Sequence, residues 1–248
     1  MAPPGAAGYA RNVPERSVFA LLLACAPEAV PVSLAPRDTT PRGELQFRFP
    51  LLERELFRTV VGVDHDPDDH SQGSLGERLT CRAYDGRPFP ACYDGHEGSD
   101  YILEGDWETM DAGSATILAA APGVVVETAD GNYDRCHKTA DGVDCDGYPG
   151  DANYVIVEHE GGWRTKYWHM MNGSVAVAVG DEVACGDTLG KVGSSGNSSQ
   201  PHLHFQLEDA AGVVTDPYAG EYSQPETWWV DQGTYSQLPG SDCAAVDE

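Results

Sequence analysis

The chain has 248 residues, 40 Asp plus Glu against 15 Lys plus Arg, and a formal charge of −25. So acidic a molecule repels nucleic acid and anionic membranes, and no basic patch interrupts it, so no nucleic-acid partner is expected. A hydrophobic content of 41% with 5 Trp and 11 Tyr excludes general disorder, and the length suffices for one core with extensions.

Residues 1–25 have the order of an export signal: Arg11 and Arg16, the apolar run "VFALLLA", then Cys25. "LLAC" resembles a bacterial lipobox, which would place a lipid on Cys25 as a membrane tether. "ACA" would equally serve ordinary secretion. A short buried helix is the remaining alternative, and Pro27 and Pro31 argue against it. Residues 26–43 read as a Pro-containing linker.

From residue 44 the pattern is short strands and tight turns. Residues 44–89 supply an N-terminal strand region, with "ELQFRF" alternating. Within 90–218, "ATILAAAPGVVVETADG" is strand material broken at Pro122-Gly123. "NYVIVEHEGGWRTKYWHM" is a hairpin turning at "EGG", and "SVAVAVGDEVACGDTLGKVG" adds strands between Gly-Asp turns. No helical periodicity appears after the signal candidate. The tail, 219–248, has little strand signal beyond "TWWV". The expected fold class is all-β, mainly antiparallel.

Of 7 cysteines, six remain once Cys25 is set aside. None forms a C-x-x-C pair, which argues against a thiolate zinc site and for an oxidising compartment. Proximity selects Cys81–Cys92 and Cys136–Cys145, and elimination leaves Cys185–Cys243.

Eight histidines carry the chemistry. "GHEGSD" sets His96 four residues before Asp100. "YWHM" ends a strand in His169. "PHLHF" puts His202 and His204 on one face of a strand, with Leu203 and Phe205 on the other. Imidazole and carboxylate are the usual non-thiolate zinc ligands, and a catalytic zinc takes three of them plus an open position. A further histidine can then move protons near neutral pH. Each group alone is commonplace. Their combination in this order, with flanking glycines, is specific.

That combination resembles the M23 family of zinc metallopeptidases, the lysostaphin or LytM family. "HEGSD" is similar to its H-x-G-x-D. "AAPGVV", the hairpin ending in Y-x-H, "GDEVACGDTLGKVGSSG", "HLHF" and "VTDPY" resemble its later segments, over about residues 90–218. The resemblance implies a mostly antiparallel β-domain of the duplicated-hybrid type, with a groove over one sheet. It implies zinc held by His96, Asp100 and His204, with His202 and His169 as catalytic histidines. It favours His202 as general base, with His169 orienting water and stabilising the oxyanion. The implied activity is hydrolysis of amide bonds in peptidoglycan stems or cross-links by a protein exported to the cell envelope or secreted. A non-enzymatic regulator of other wall hydrolases is the alternative, opposed by the complete site. A sugar-phosphotransfer carrier is a third, opposed by Asp100 and the export signal.

Departures from the pattern are Ser99, where an apolar residue is usual, and Gln200, in place of glycine. An insertion at 131–151 is expected beside the groove, stapled by Cys136–Cys145. Asp130, Asn132, Asp134 and Asp141 imitate a calcium loop, but Arg135 stands where glycine is needed. "VDHDPDDH" (63–70) reads as a solvated acidic turn, and His159 as structural or lining the groove.

Overall fold

The structure is a computed structural model that describes residues 45–245, except 71, 75, 140, 141 and 234–237. The export-signal and lipidation readings lie outside the described residues. Among those described, no helix is long and apolar enough to cross a membrane.

The architecture is all-β, with antiparallel sheets. Strands β1 (Phe57–Val61), β2 (Ser99–Leu103), β3 (Thr116–Leu118), β4 (Gly123–Ala129), β5 (His137–Thr139) and β6 (Gly142–Asp144) come first. They are followed by β7 (Tyr154–Glu158), β8 (Arg164–Trp168), β9 (Glu182–Val183), β10 (Thr188–Lys191), β11 (His202–Glu208) and β12 (Val214–Thr215). The main sheet has the order β1-β2-β11-β8-β7-β4-β9, with β12 also on β11. Strands β3 and β10 pair apart from it, as do β5 and β6. Among the described residues one α-helix, α1 (Asp106–Asp111), follows β2. At six residues it is too short to leave a periodic trace in the sequence.

Alternation along the central strands sorts the sheet by residue parity. Odd-numbered residues face the core: Tyr101 and Leu103 on β2, Tyr167 on β8, Leu203, Phe205 and Leu207 on β11, and Val155 and Val157 on β7. Phe205 lies opposite Tyr167, which in turn lies opposite Val155. The rings of Phe205 and Tyr167 meet edge-on at 5.4 Å. Emptying such a position by truncation to alanine typically costs about 3–5 kcal/mol. The even-numbered face is left for polar chemistry.

Segments outside the central strands complete the core. Phe47, Phe49 and Leu51 are fully buried with Trp228 and Trp229. Phe47 forms a parallel bridge with Trp229, and its amide donates to the Trp228 carbonyl at 2.7 Å. The three disulfides are Cys81–Cys92, Cys136–Cys145 and Cys185–Cys243. The insertion forms the β5–β6 hairpin. Its neighbouring carboxylates serve the backbone: Asp130 accepts from the amides of Gly173 and Val175, and Asp134 from that of Asn172.

Candidate metal centre

The register of the sheet assembles the site. His204 on β11 lies opposite Asp100 on β2 and opposite Trp168 on β8. Both side chains project from the even face. His96, from the turn before β2, meets them there. Asp100 Oδ1 is 2.8 Å from His204 Nδ1 and 3.1 Å from His96 Nε2, and the two nitrogens are 3.2 Å apart. All three residues are buried.

Hydrogen bonds on the outer sides of the rings decide what faces inward. His96 Nδ1 lies 2.8 Å from the Gly62 carbonyl, which can only accept, so Nδ1 carries the proton and Nε2 presents a lone pair. The amide nitrogen of Gln206 donates to Glu208 at 2.6 Å, which turns its oxygen toward His204 Nε2 at 3.1 Å. His204 therefore presents a lone pair at Nδ1. With both imidazoles neutral, two lone pairs and a carboxylate oxygen converge within about 3 Å, an arrangement that calls for a cation. A tetrahedral zinc with arms of about 2.0–2.1 Å separates its ligands by about 3.3 Å, close to these spacings. The electrostatics show the same demand for positive charge beside Asp100, met by a proton when no metal is bound. Burial disfavours charge on His96, but the facing Asp100 carboxylate raises its pKa above the ordinary value. Burial likewise disfavours charge on Asp100, yet the surrounding histidines hold its pKa well below the usual carboxylate value.

Two further imidazoles border the triad. His202 donates from Nδ1 to the Gln200 carbonyl at 2.7 Å, and its Nε2 lies 3.5 Å from Asp100 Oδ1. His169 donates from Nδ1 to the Ser195 carbonyl at 2.7 Å. The two rings are 4.6 Å apart. Burial lowers both pKa values, that of His169 strongly, so both imidazoles are neutral bases at neutral pH. His169 is odd-numbered and strict alternation would send it into the core. A left-handed backbone at φ 66° releases it to the polar face, at about 1–2 kcal/mol for a non-glycine residue.

Gly98 has a steric role. A Cβ there would lie 2.6 Å from His204 Cε1 and Nε2 and 2.8 Å from the Phe205 carbonyl. Only glycine lets the His96 turn lie against β11.

All five sequence-predicted residues therefore meet in one place. His159 does not join them. It is buried, between the Pro122 carbonyl (2.7 Å) and Thr165 Oγ1 (2.8 Å). Three supporting groups escaped the sequence reading. Tyr93 stacks on His96 at 4.2 Å. Asp64, within the stretch read as a solvated turn, accepts from the amides of Asp66, Arg82 and Gly95 and so shapes the loop that presents Gly62. Gln206 steers His204, and its signal was available, since it continues the His202–His204 parity.

Residues 106–217 match peptidase family M23. His169, His202 and His204 lie in the matched stretch, and His96 and Asp100 precede it. The chain is 26% identical over 132 residues to the peptidoglycan DD-endopeptidase ShyC of Vibrio cholerae, covering 53% of this chain and 24% of that protein. It is 31% identical over 128 residues to the glycyl-glycine endopeptidase ALE-1 of Staphylococcus capitis, covering 50% of this chain and 28% of that one. Among solved structures, the lysostaphin catalytic domain of Staphylococcus simulans aligns with TM-score 0.35 and 26% identity, over 50% of this chain and 77% of that one. The chain spans about a tenth to a quarter of the length of the curated relatives it matches. Over residues 106–217 the chain is therefore similar to peptidase family M23.

Proposed function

We propose that the protein is a zinc-dependent endopeptidase that hydrolyses amide bonds in the peptide stems or cross-links of peptidoglycan. The observation that carries this reading is the convergence of three lone-pair donors, His96 Nε2, Asp100 Oδ1 and His204 Nδ1, on one point beside two neutral histidines. The substrate class is supported by relatives named as peptidoglycan and glycyl-glycine endopeptidases.

His96, Asp100 and His204 hold the metal. Zinc, when bound, supplies a Lewis acid and acidifies a water. His202, kept neutral by burial and oriented by the Gln200 carbonyl, takes a proton from the attacking water at Nε2 and later delivers it to the leaving amine. His169, oriented by the Ser195 carbonyl, orients the water through its own Nε2. The complete set of five residues favours an enzyme over a non-catalytic regulator. Export to the envelope is supported by the three disulfides. A lipid on Cys25 would then tether the protein to a membrane.

The test is digestion of purified sacculi of different cross-link chemistry by the zinc-loaded full chain, with new termini identified by mass spectrometry. New amine ends are expected from at least one sacculus. Their absence from all, with zinc bound, rejects the hydrolase reading and favours the regulator.

A further inference from the structure

The insertion is fixed to the segment that leads into β11 rather than hanging free of it. The Cys136 amide donates to the Ser194 carbonyl at 3.0 Å, and Ser194 Oγ returns a bond to the Cys136 carbonyl at 2.7 Å. The Lys138 amide donates to the Ser199 carbonyl at 3.1 Å. The segment held in this way, 194–200, also supplies the carbonyls that orient His169 and His202. The hairpin is therefore built into the support of the two histidines.

Between this hairpin, the start of α1 and Gln200 lies an open cavity of about 480 Å³. Gln200 is two residues before His202, so the cavity begins within the reach of two residues, about 7 Å, of that histidine's backbone. An extended peptide advances about 3.3–3.6 Å per residue, so a substrate residue two or three positions from the scissile bond reaches the cavity. Trp107 and Tyr133 give it aromatic walls.

Two of the four charged side chains on the wall are already engaged. Arg135 pairs with Asp111 and lies over the Trp107 ring. Asp146 accepts from the Tyr133 hydroxyl. Lys138 forms no ion pair with any described residue. In a chain of charge −25 it is a cation available at the mouth of the cavity. Asp106, the other uncommitted charge, keeps the wall near neutrality and disfavours a doubly acidic group.

We infer that this cavity is a specificity subsite, in which Lys138 receives a single side-chain carboxylate from a peptide residue near the scissile bond. The inference rests on the reading of the metal centre as a peptidase site. The partner chemistry is an aliphatic side chain lying along Trp107 and Tyr133 and ending in a carboxylate at the Lys138 ammonium. Wall peptides would thus be read by one local cation in spite of the protein's overall repulsion of anions.

The experiment uses two fluorescent stem-type peptides with D-residues and blocked ends, identical except that one carries a side-chain carboxylate and the other its carboxamide. Binding to the full zinc-loaded chain is measured by anisotropy, and cleavage is followed in parallel. The carboxylate peptide is expected to bind about 10-fold tighter than its twin, the scale of one partly exposed charge-assisted hydrogen bond. Lys138→Met should abolish that preference without changing affinity for the carboxamide, and Lys138→Arg should retain most of it. Equal affinities in the wild type, or an equal loss for both peptides in Lys138→Met, overturn the subsite. Discrimination in binding without new amine ends supports the subsite and rejects the hydrolase reading alone.

Discussion

Gly98→Ala tests the geometry of the metal centre without touching a ligand. The added methyl would sit 2.6 Å from two atoms of the His204 ring and 2.8 Å from the Phe205 carbonyl, where ordinary contacts begin at 3.4 Å. The shortfalls are therefore 0.8 Å at the ring and 0.6 Å at the backbone of β11. Neither side yields readily. The ring is held by Gln206, and the backbone lies in the middle of the main sheet. Overpacking of this kind costs about 1–3 kcal/mol of stability. If the ring moves instead, its displacement exceeds the about 0.5 Å that a catalytic constellation tolerates. Loss of a group that orients a ligand weakens metal binding by about 10–100-fold, and a misplacement near 1 Å lowers turnover by about 100-fold. Competition with a chromogenic chelator, together with a melting curve, reads both outcomes. A Gly98→Ala protein with wild-type zinc affinity and unchanged melting would refute the packing argument.

Ligand and proton-transfer roles separate by metal analysis: His204→Ala or His96→Ala should lose zinc and activity together. His202→Ala and His169→Ala should keep zinc and lose about 10²–10⁴-fold in rate, and near-normal turnover in both would remove their assigned roles. Stability should fall as pH drops below about 6.5, because burial depresses the His159 pKa in the folded state while the unfolded chain takes up the proton first. That contribution is fully present above the unfolded value and is lost as pH falls toward the folded one, so His159→Gln should flatten the dependence of the urea midpoint on pH. A slope equal to the wild type's assigns the effect elsewhere. Replacing Cys185 and Cys243 together by serine opens a link spanning 58 residues and should cost about 4 kcal/mol by chain entropy, read from urea unfolding. A loss under about 1 kcal/mol would mean that packing alone holds the segment around Trp228 and Trp229.

What the sequence revealed depended on whether a signal lay in side chains or in backbone. The parity of His202, Leu203, His204 and Phe205 located both the core face and the chemical face, because strand alternation is a rigid rule. The "EGG" turn placed β7 against β8, and short spacing paired two of the disulfides. The carbonyls of Gly62, Ser195 and Gln200, which set three of the four imidazole tautomers, could not be read, since every residue has a carbonyl and only the fold aims it. His169 shows the other limit. Its polar-face position depends on a left-handed turn that alternation argues against. Asp64 was misjudged because an acidic run looks solvated until the amides that bind it are known.

The pairing of Phe47 with Trp229 joins residues about 180 positions apart and buries both in the core that backs β11. Contacts of such sequence separation form late and slowly. The first aromatic residues of the domain must therefore wait, exposed, until residues near 229 have been synthesised. The sheet that aligns Asp100 with His204 gains its full backing only then. The convergence of His96, Asp100 and His204 is in this way tied to completion of the domain.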